Sequence, residues 1–108
     1  MLDVFYHVTH RRNVASILRD GLLCRKATGK RKAVWLSIDP TEALAEHIAH
    51  SHGWRADCLV VLAVFVRRDF VSVQHLPGVG LHRDTCFYSR RDIAPTYIQT
   101  INQEEVSL

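Results

Sequence analysis

The hydrophobic positions change period several times along the chain, and each change marks an element. "DVFYHVT" at 3–9 mixes β-branched and aromatic residues with polar ones and predicts a strand. On it Phe5, His7 and Thr9 share one face, because strand side chains alternate. The period then lengthens. Val14, Ile17 and Leu18 recur at helical spacing, with Thr9 as N-cap and Gly21 as stop, so a helix is predicted over 11–20. "AVWLSI" at 33–38 predicts a second strand. "DPTEALAEHIAHSHG" at 39–53 predicts a second helix, with Asp39 as N-cap, Pro40 in the first helical position, Glu42 in the first turn, histidines near the end and Gly53 beyond.

The second half is β-rich. "CLVVLAVFV" at 58–66 is a continuous apolar run with several β-branched residues, which predicts a central strand buried on both faces. "FVSVQHL" at 70–76 alternates and predicts its neighbour, ending at Pro77 and Gly78. "TCFYS" at 85–89 and "TYIQTIN" at 96–102 predict two more strands, separated by "RRDIAP", where Pro95 forbids pairing through a sheet centre. The order strand, helix, strand, helix, then strands predicts an α+β domain whose two N-terminal-half helices pack on a curved, mostly antiparallel sheet. A doubly wound parallel sheet is disfavoured, because the later connections are too short for crossover helices.

Composition adds bounds. A chain of 108 residues with 47% hydrophobic and 23% charged residues is expected to form one globular domain. The apolar run at 58–66 is far shorter than the roughly 20 residues of a membrane helix. Residues 1–20 carry Asp3, His7 and arginines where a secretory signal needs an apolar stretch, so a cytoplasmic protein is expected. Cys24, Cys58 and Cys86 are odd in number and widely spaced, which suits reduced thiols. The net charge of +3 is mild, but Arg25, Lys26, Lys30, Arg31 and Lys32 crowd around Gly29. That loop either attracts phosphates or is a solvated connection.

Seven histidines are many for this length. Four of them, His7, His47, His50 and His52, fall on segments suited to lining a common cleft. His47 and His50 share a helix face with Glu46 and His52 nearby, a spacing that suits zinc but equally complements the negative end of a helix. No second Cys/His pair completes a structural site, and no metal is assigned. No glycine-rich phosphate loop, Ser-His-Asp pattern or nucleophile elbow is present, which disfavours common nucleotide-triphosphate, Rossmann and hydrolase chemistries.

"YHVT" with the following "N..SILRDGLL", then "VWLS" with "EALAEH", and finally "CFYSRRDIAPTYI" together resemble the ADP-ribosyltransferase-like superfamily. The resemblance is to its small bacterial members near the KptA-type RNA 2'-phosphotransferases and the DarT-type nucleic-acid ADP-ribosyltransferases, and it spans Phe5 to Ile101. It implies a split antiparallel sheet and NAD as co-substrate. The first motif of that superfamily is a strand carrying His-x-Thr whose histidine holds the NAD ribose, matched by His7 and Thr9. The second is a strand with an aromatic and small residues followed by a helix, matched by Trp35, Ser37 and His47. The resemblance therefore implies cofactor contacts from Tyr6, His7, Thr9, Trp35, Ser37 and His47, with His7, His47 and Arg90 in catalysis. Phosphates of the acceptor would meet Arg25, Lys26, Lys30, Arg31, Arg90 and Arg91.

The third motif departs from the family pattern. Thr85, Cys86 and Phe87 stand where many transferases place a glutamate, Asp84 is the nearest acid, and no glutamate lies between Glu46 and Glu104. This groups the chain with histidine-histidine-hydrophobic variants and points away from protein ADP-ribosylation, toward RNA, DNA or a phosphorylated acceptor, in nucleic-acid modification, a toxin or phage defence. Two other readings stay open: a non-catalytic sensor of NAD, ADP-ribose or a nucleotide, and a histidine-rich metal- or RNA-binding adaptor.

Overall fold

In the computed structural model, which describes residues 2–26, 32–41, 58–75 and 85–101, the first aromatic and β-branched segment forms β1 (Asp3–His10). A 3₁₀ turn at Arg11–Asn13 leads into the short helix α1 (Val14–Asp20). The expected capping by Thr9 is corrected. The side chain of His10 caps the turn instead, its Nδ1 accepting from the Arg12 amide at 3.1 Å, while Thr9 is still in the ladder.

Gly21 ends α1 as expected. Its φ of 91° and ψ of −177° lie in a region essentially restricted to glycine. An added Cβ would collide with the Ile93 carbonyl oxygen. That closeness has a purpose, because Leu22 and Ile93 exchange two backbone hydrogen bonds of 2.9 Å beside it.

A 3₁₀ turn at Cys24–Lys26 follows, then β2 (Val34–Leu36), shorter than the predicted strand. The chain turns helical at Pro40 and Thr41, and the remainder of the second expected helix lies outside the described residues. The apolar run forms β3 (Leu59–Val66), and a 3₁₀ turn at Arg68–Phe70 connects it to β4 (Ser72–His75). Then come β5 (Thr85–Ser89), a 3₁₀ turn at Pro95–Tyr97 and β6 (Ile98–Thr100). The last predicted strand loses its first residues to that turn, since Pro95 has no N–H to give a ladder.

The result is an α+β fold in which the described residues form two three-stranded antiparallel sheets, ordered β1-β3-β6 and β2-β5-β4. As expected, β3 is central: it pairs with β1 over eight residues, from Asp3 opposite Val66 to His10 opposite Leu59, and with β6 on its other edge. The edge strands β1 and β2 meet at one bridge, Tyr6 with Ser37, through N–H···O bonds of 2.7 and 2.8 Å.

Between the sheets lies the main core, in which Phe5, Ile17, Leu22, Val34, Leu36, Leu62, Val64, Ile93 and Ile98 are buried together. The rings of Phe5 and Phe87, one from each sheet, meet there at 5.9 Å. A smaller cluster of Val8, Leu59 and Val61, with Tyr6 and Ile101 against it, occupies the other face of β1 and β3. Among the described residues no helix is long and apolar enough to cross a membrane.

Candidate functional site

Among the described residues the two sheets pair at Tyr6–Ser37 and no further. An antiparallel ladder continuing from that pair would set Val8 against Trp35 two residues on. The bridge is isolated, however, and the Trp35 carbonyl receives the His7 imidazole instead, with Nδ1 to O at 2.8 Å. A carbonyl oxygen only accepts, so Nδ1 carries the proton. In the neutral ring this fixes Nε2 as the acceptor nitrogen. His7 thus stands at the point where the sheets separate, in a set tautomer.

Alternation in the second sheet decides what surrounds it. Val34 and Leu36 point into the core, and Trp35 between them is 41% exposed. Trp35 is directly opposite Tyr88 on β5, and the two rings meet at 5.5 Å with a 50° tilt. The Tyr88 ring is buried and carries the Arg90 guanidinium at 5.6 Å. In the row Trp35, Tyr88, Arg90 an exposed indole and an exposed cation therefore flank a buried ring. Each ring or cation contact of this kind stabilises by about 1 kcal/mol.

Ser37 Oγ donates to the Asp39 carbonyl at 3.3 Å and accepts from the Asp39 amide at 3.4 Å, which shapes the turn into Pro40. Ser89 does the same on β5, its Oγ donating to Arg91 O at 2.7 Å and accepting from Arg91 N at 3.2 Å. That turn sends the two arginines to different partners: Arg90 lies over Tyr88, while Arg91 stacks on Phe70 at 4.0 Å.

The candidates from the sequence divide accordingly. Tyr6, His7, Trp35 and Ser37 come together at the bridge, and Arg90 joins them through Tyr88. Thr9 lies further along β1, only 7% exposed, its Oγ accepting from Asn13 Nδ2 at 3.4 Å. Arg25 and Lys26 are exposed on the turn whose Cys24 amide donates to Asp92 Oδ1 at 2.8 Å, so they sit near Arg91 and Asp92. His47, Lys30 and Arg31 lie outside the described residues, as do Glu46, His50, His52 and Asp84.

Sequence reasoning missed Tyr88, the ring under Trp35, because alternation in "TCFYS" does not say which of Phe87 and Tyr88 faces the core. It also missed Asp92, whose carboxylate ties residue 24 to the end of β5. Burial, followed by the nearby Asp92 charge, raises the Cys24 thiol above its ordinary pKa. Its Sγ donates to Ser89 O at 3.6 Å. A separate shallow hollow of about 410 Å³, lined by Asp3, Arg67, Arg68 and Asp69, lies at the far end of β1 and has none of these aromatics. Among the described residues no three His, Cys, Asp or Glu side chains group as metal ligands.

Compared with family models, curated proteins and solved structures, the chain matches none.

Proposed function

We propose that the protein is an NAD-dependent transferase of the ADP-ribosyltransferase-like type, acting on a nucleic acid or another phosphorylated acceptor. The observation that carries this reading is the His7 imidazole held by the Trp35 carbonyl where the two sheets part, beside the exposed Trp35 indole. The first two motifs of the resemblance, on strands far apart in sequence, meet at that point through the Tyr6–Ser37 bridge.

NAD brings a ribose joined to a cationic nicotinamide. In the reaction the C–N bond at the ribose C1' breaks, its electron pair leaves with nicotinamide, and that ring becomes neutral. An acceptor oxygen or ring nitrogen forms the new bond to C1', and any proton it carries passes to solvent. The transition state has oxocarbenium character, so fixing the ribose matters more than a strong base. His7 hydrogen-bonds a ribose hydroxyl, its ring held by the Trp35 carbonyl. Trp35 and Tyr6 supply apolar walls. Arg90, held over Tyr88, stabilises phosphate charge.

The test is incubation with NAD labelled in the nicotinamide ring, alone and with mixed RNA or DNA. Nicotinamide release that falls at least about tenfold in His7→Ala is expected, since removing one transition-state contact typically costs that much or more. No release by the wild-type protein under any acceptor condition would contradict the transferase. NAD binding lost in His7→Ala without turnover would replace it with the sensor reading.

A further inference from the structure

Cations gather from three separate segments of the chain. Arg91 stacks on Phe70 at 4.0 Å, which brings residues 90–92 to the turn after β3. In that turn the Arg68 guanidinium lies 5.4 Å from the centre of the Phe87 ring and donates through Nη1 to Val71 O at 3.0 Å. The Cys24 amide is bonded to Asp92, which brings the turn bearing Arg25 and Lys26 to the same residues. Residues 24–26, 67–70 and 90–92 therefore adjoin one another and carry six cations, Arg25, Lys26, Arg67, Arg68, Arg90 and Arg91, all exposed. Among the described residues four carboxylates lie beside them: Asp3 lines a hollow with Arg67 and Arg68, and the charges of Lys26 and Arg25 act on Asp20. Asp69 is paired with Arg67 at 3.1 Å and Asp92 accepts the Cys24 amide.

We propose that this surface binds the phosphodiester backbone of a single nucleic-acid strand, and that the strand is the acceptor. The second clause rests on the transferase reading; the binding itself does not. Three arginines lie over aromatic rings, on Phe87, Tyr88 and Phe70, which restrains each guanidinium at an exposed position. Oriented guanidinium groups suit phosphate, which they engage with paired N–H donors. Arg90 also links the basic surface to Trp35 by way of Tyr88, and the exposed indole offers a face on which an unpaired base stacks. A duplex keeps its bases stacked on each other and gains nothing from that ring.

Other polyanions fit less well. None of the exposed large hydrophobic residues, which are Leu2, Val4, Leu18, Trp35, Ile38 and Tyr97, belongs to the three basic segments. A lipid surface would find nothing there to draw into its acyl region. A protein partner would lack an apolar centre to dock on. The turn at Arg68–Phe70 was not legible as part of such a surface, since "RRDF" in the sequence is just a charged connection.

The experiment is fluorescence anisotropy of a labelled RNA or DNA strand of about 12 nucleotides, with no NAD present, across a range of salt concentrations. Binding that weakens with salt is expected. The double variant Arg68→Gln with Arg91→Gln should weaken it about tenfold and make the log–log salt slope shallower by about two, one for each lost phosphate contact. Arg12→Gln, which removes a cation beyond the opposite end of β1, should change affinity less than about twofold.

Arg25→Gln with Lys26→Gln serves as a second variant at exposed positions, should the first fail to keep the wild-type thermal melt, and predicts the same loss. Failure of the wild-type protein to bind a strand, or equal losses in the Arg12 variant, would overturn the proposal. Equal affinity for a duplex, for polyglutamate or for anionic vesicles would also overturn it. NAD cleavage, measured separately, would stand or fall by itself.

Discussion

In β3, Val61, Leu62 and Val64 are completely shielded from solvent between β1 and β6, whereas in β2 the buried Val34 and Leu36 flank a Trp35 that is 41% exposed. The first sheet rests on an eight-residue ladder, and the β2–β5 ladder has three pairs. A strand buried along most of both faces leaves little for a ligand, and β3 holds β1 and β6 in place. The second sheet turns Trp35, Tyr88 and Arg90 away from the core, with Trp35 and Arg90 exposed and Tyr88 buried against them. His7 belongs to the first sheet but reaches the backbone of the second, and so ties the rigid region to the one that presents chemistry.

Changes inside the first sheet should therefore act on stability, and changes on the outward row of the second on function. The largest effect is expected from Leu62→Ala, which empties a fully buried central position and should destabilise by about 2–5 kcal/mol in a urea melt. Gly21→Ala comes next. It forces a side chain into a glycine-only conformation and against the Ile93 carbonyl, costing about 1–3 kcal/mol or more, read in the same melt. Trp35→Ala should cost less than Leu62→Ala, because the indole is 41% exposed and its loss leaves no enclosed cavity. It should nonetheless lower nicotinamide release at least about tenfold on the proposed reading. If Trp35→Ala proved as destabilising as Leu62→Ala, the contrast between the sheets would fail.

The smallest effect concerns pH. Cys24 has its thiol raised by burial and then by Asp92, so folding favours the protonated form. That contribution is full below the unfolded thiol's pKa of about 8.5 and is lost as pH rises through the higher folded value. Alkylation of Cys24 should accordingly need a higher pH than a cysteine in an unstructured peptide, and Cys24→Ala should flatten the alkaline side of the stability profile. Equal alkylation rates at equal pH would contradict the cause assigned.

Much of the first sheet was readable in the sequence, because an apolar run such as 58–66 leaves few alternatives to a central strand. The helix stop at Gly21 was readable for the same kind of local reason. The cap at His10 was not, since Thr9 is the commoner capping residue and only the length of the β1–β3 ladder shows that it is still in the strand. The site was half legible. His7, Trp35 and Ser37 could be named from a motif, but the hydrogen bond from an imidazole to a carbonyl 28 residues away is a tertiary fact. Tyr88 and the grouping of Arg68 with Arg91 likewise depend on which face each strand turns to the core.

The most direct test of the central claim, that a dinucleotide is held where the sheets part, is titration of NAD into isotope-labelled protein followed by NMR. The account predicts that the largest shifts fall on the Tyr6, His7, Trp35 and Ser37 signals, including the His7 ring nitrogens. Shifts confined to the hollow at Asp3, Arg67, Arg68 and Asp69, or no shifts at all, would contradict it.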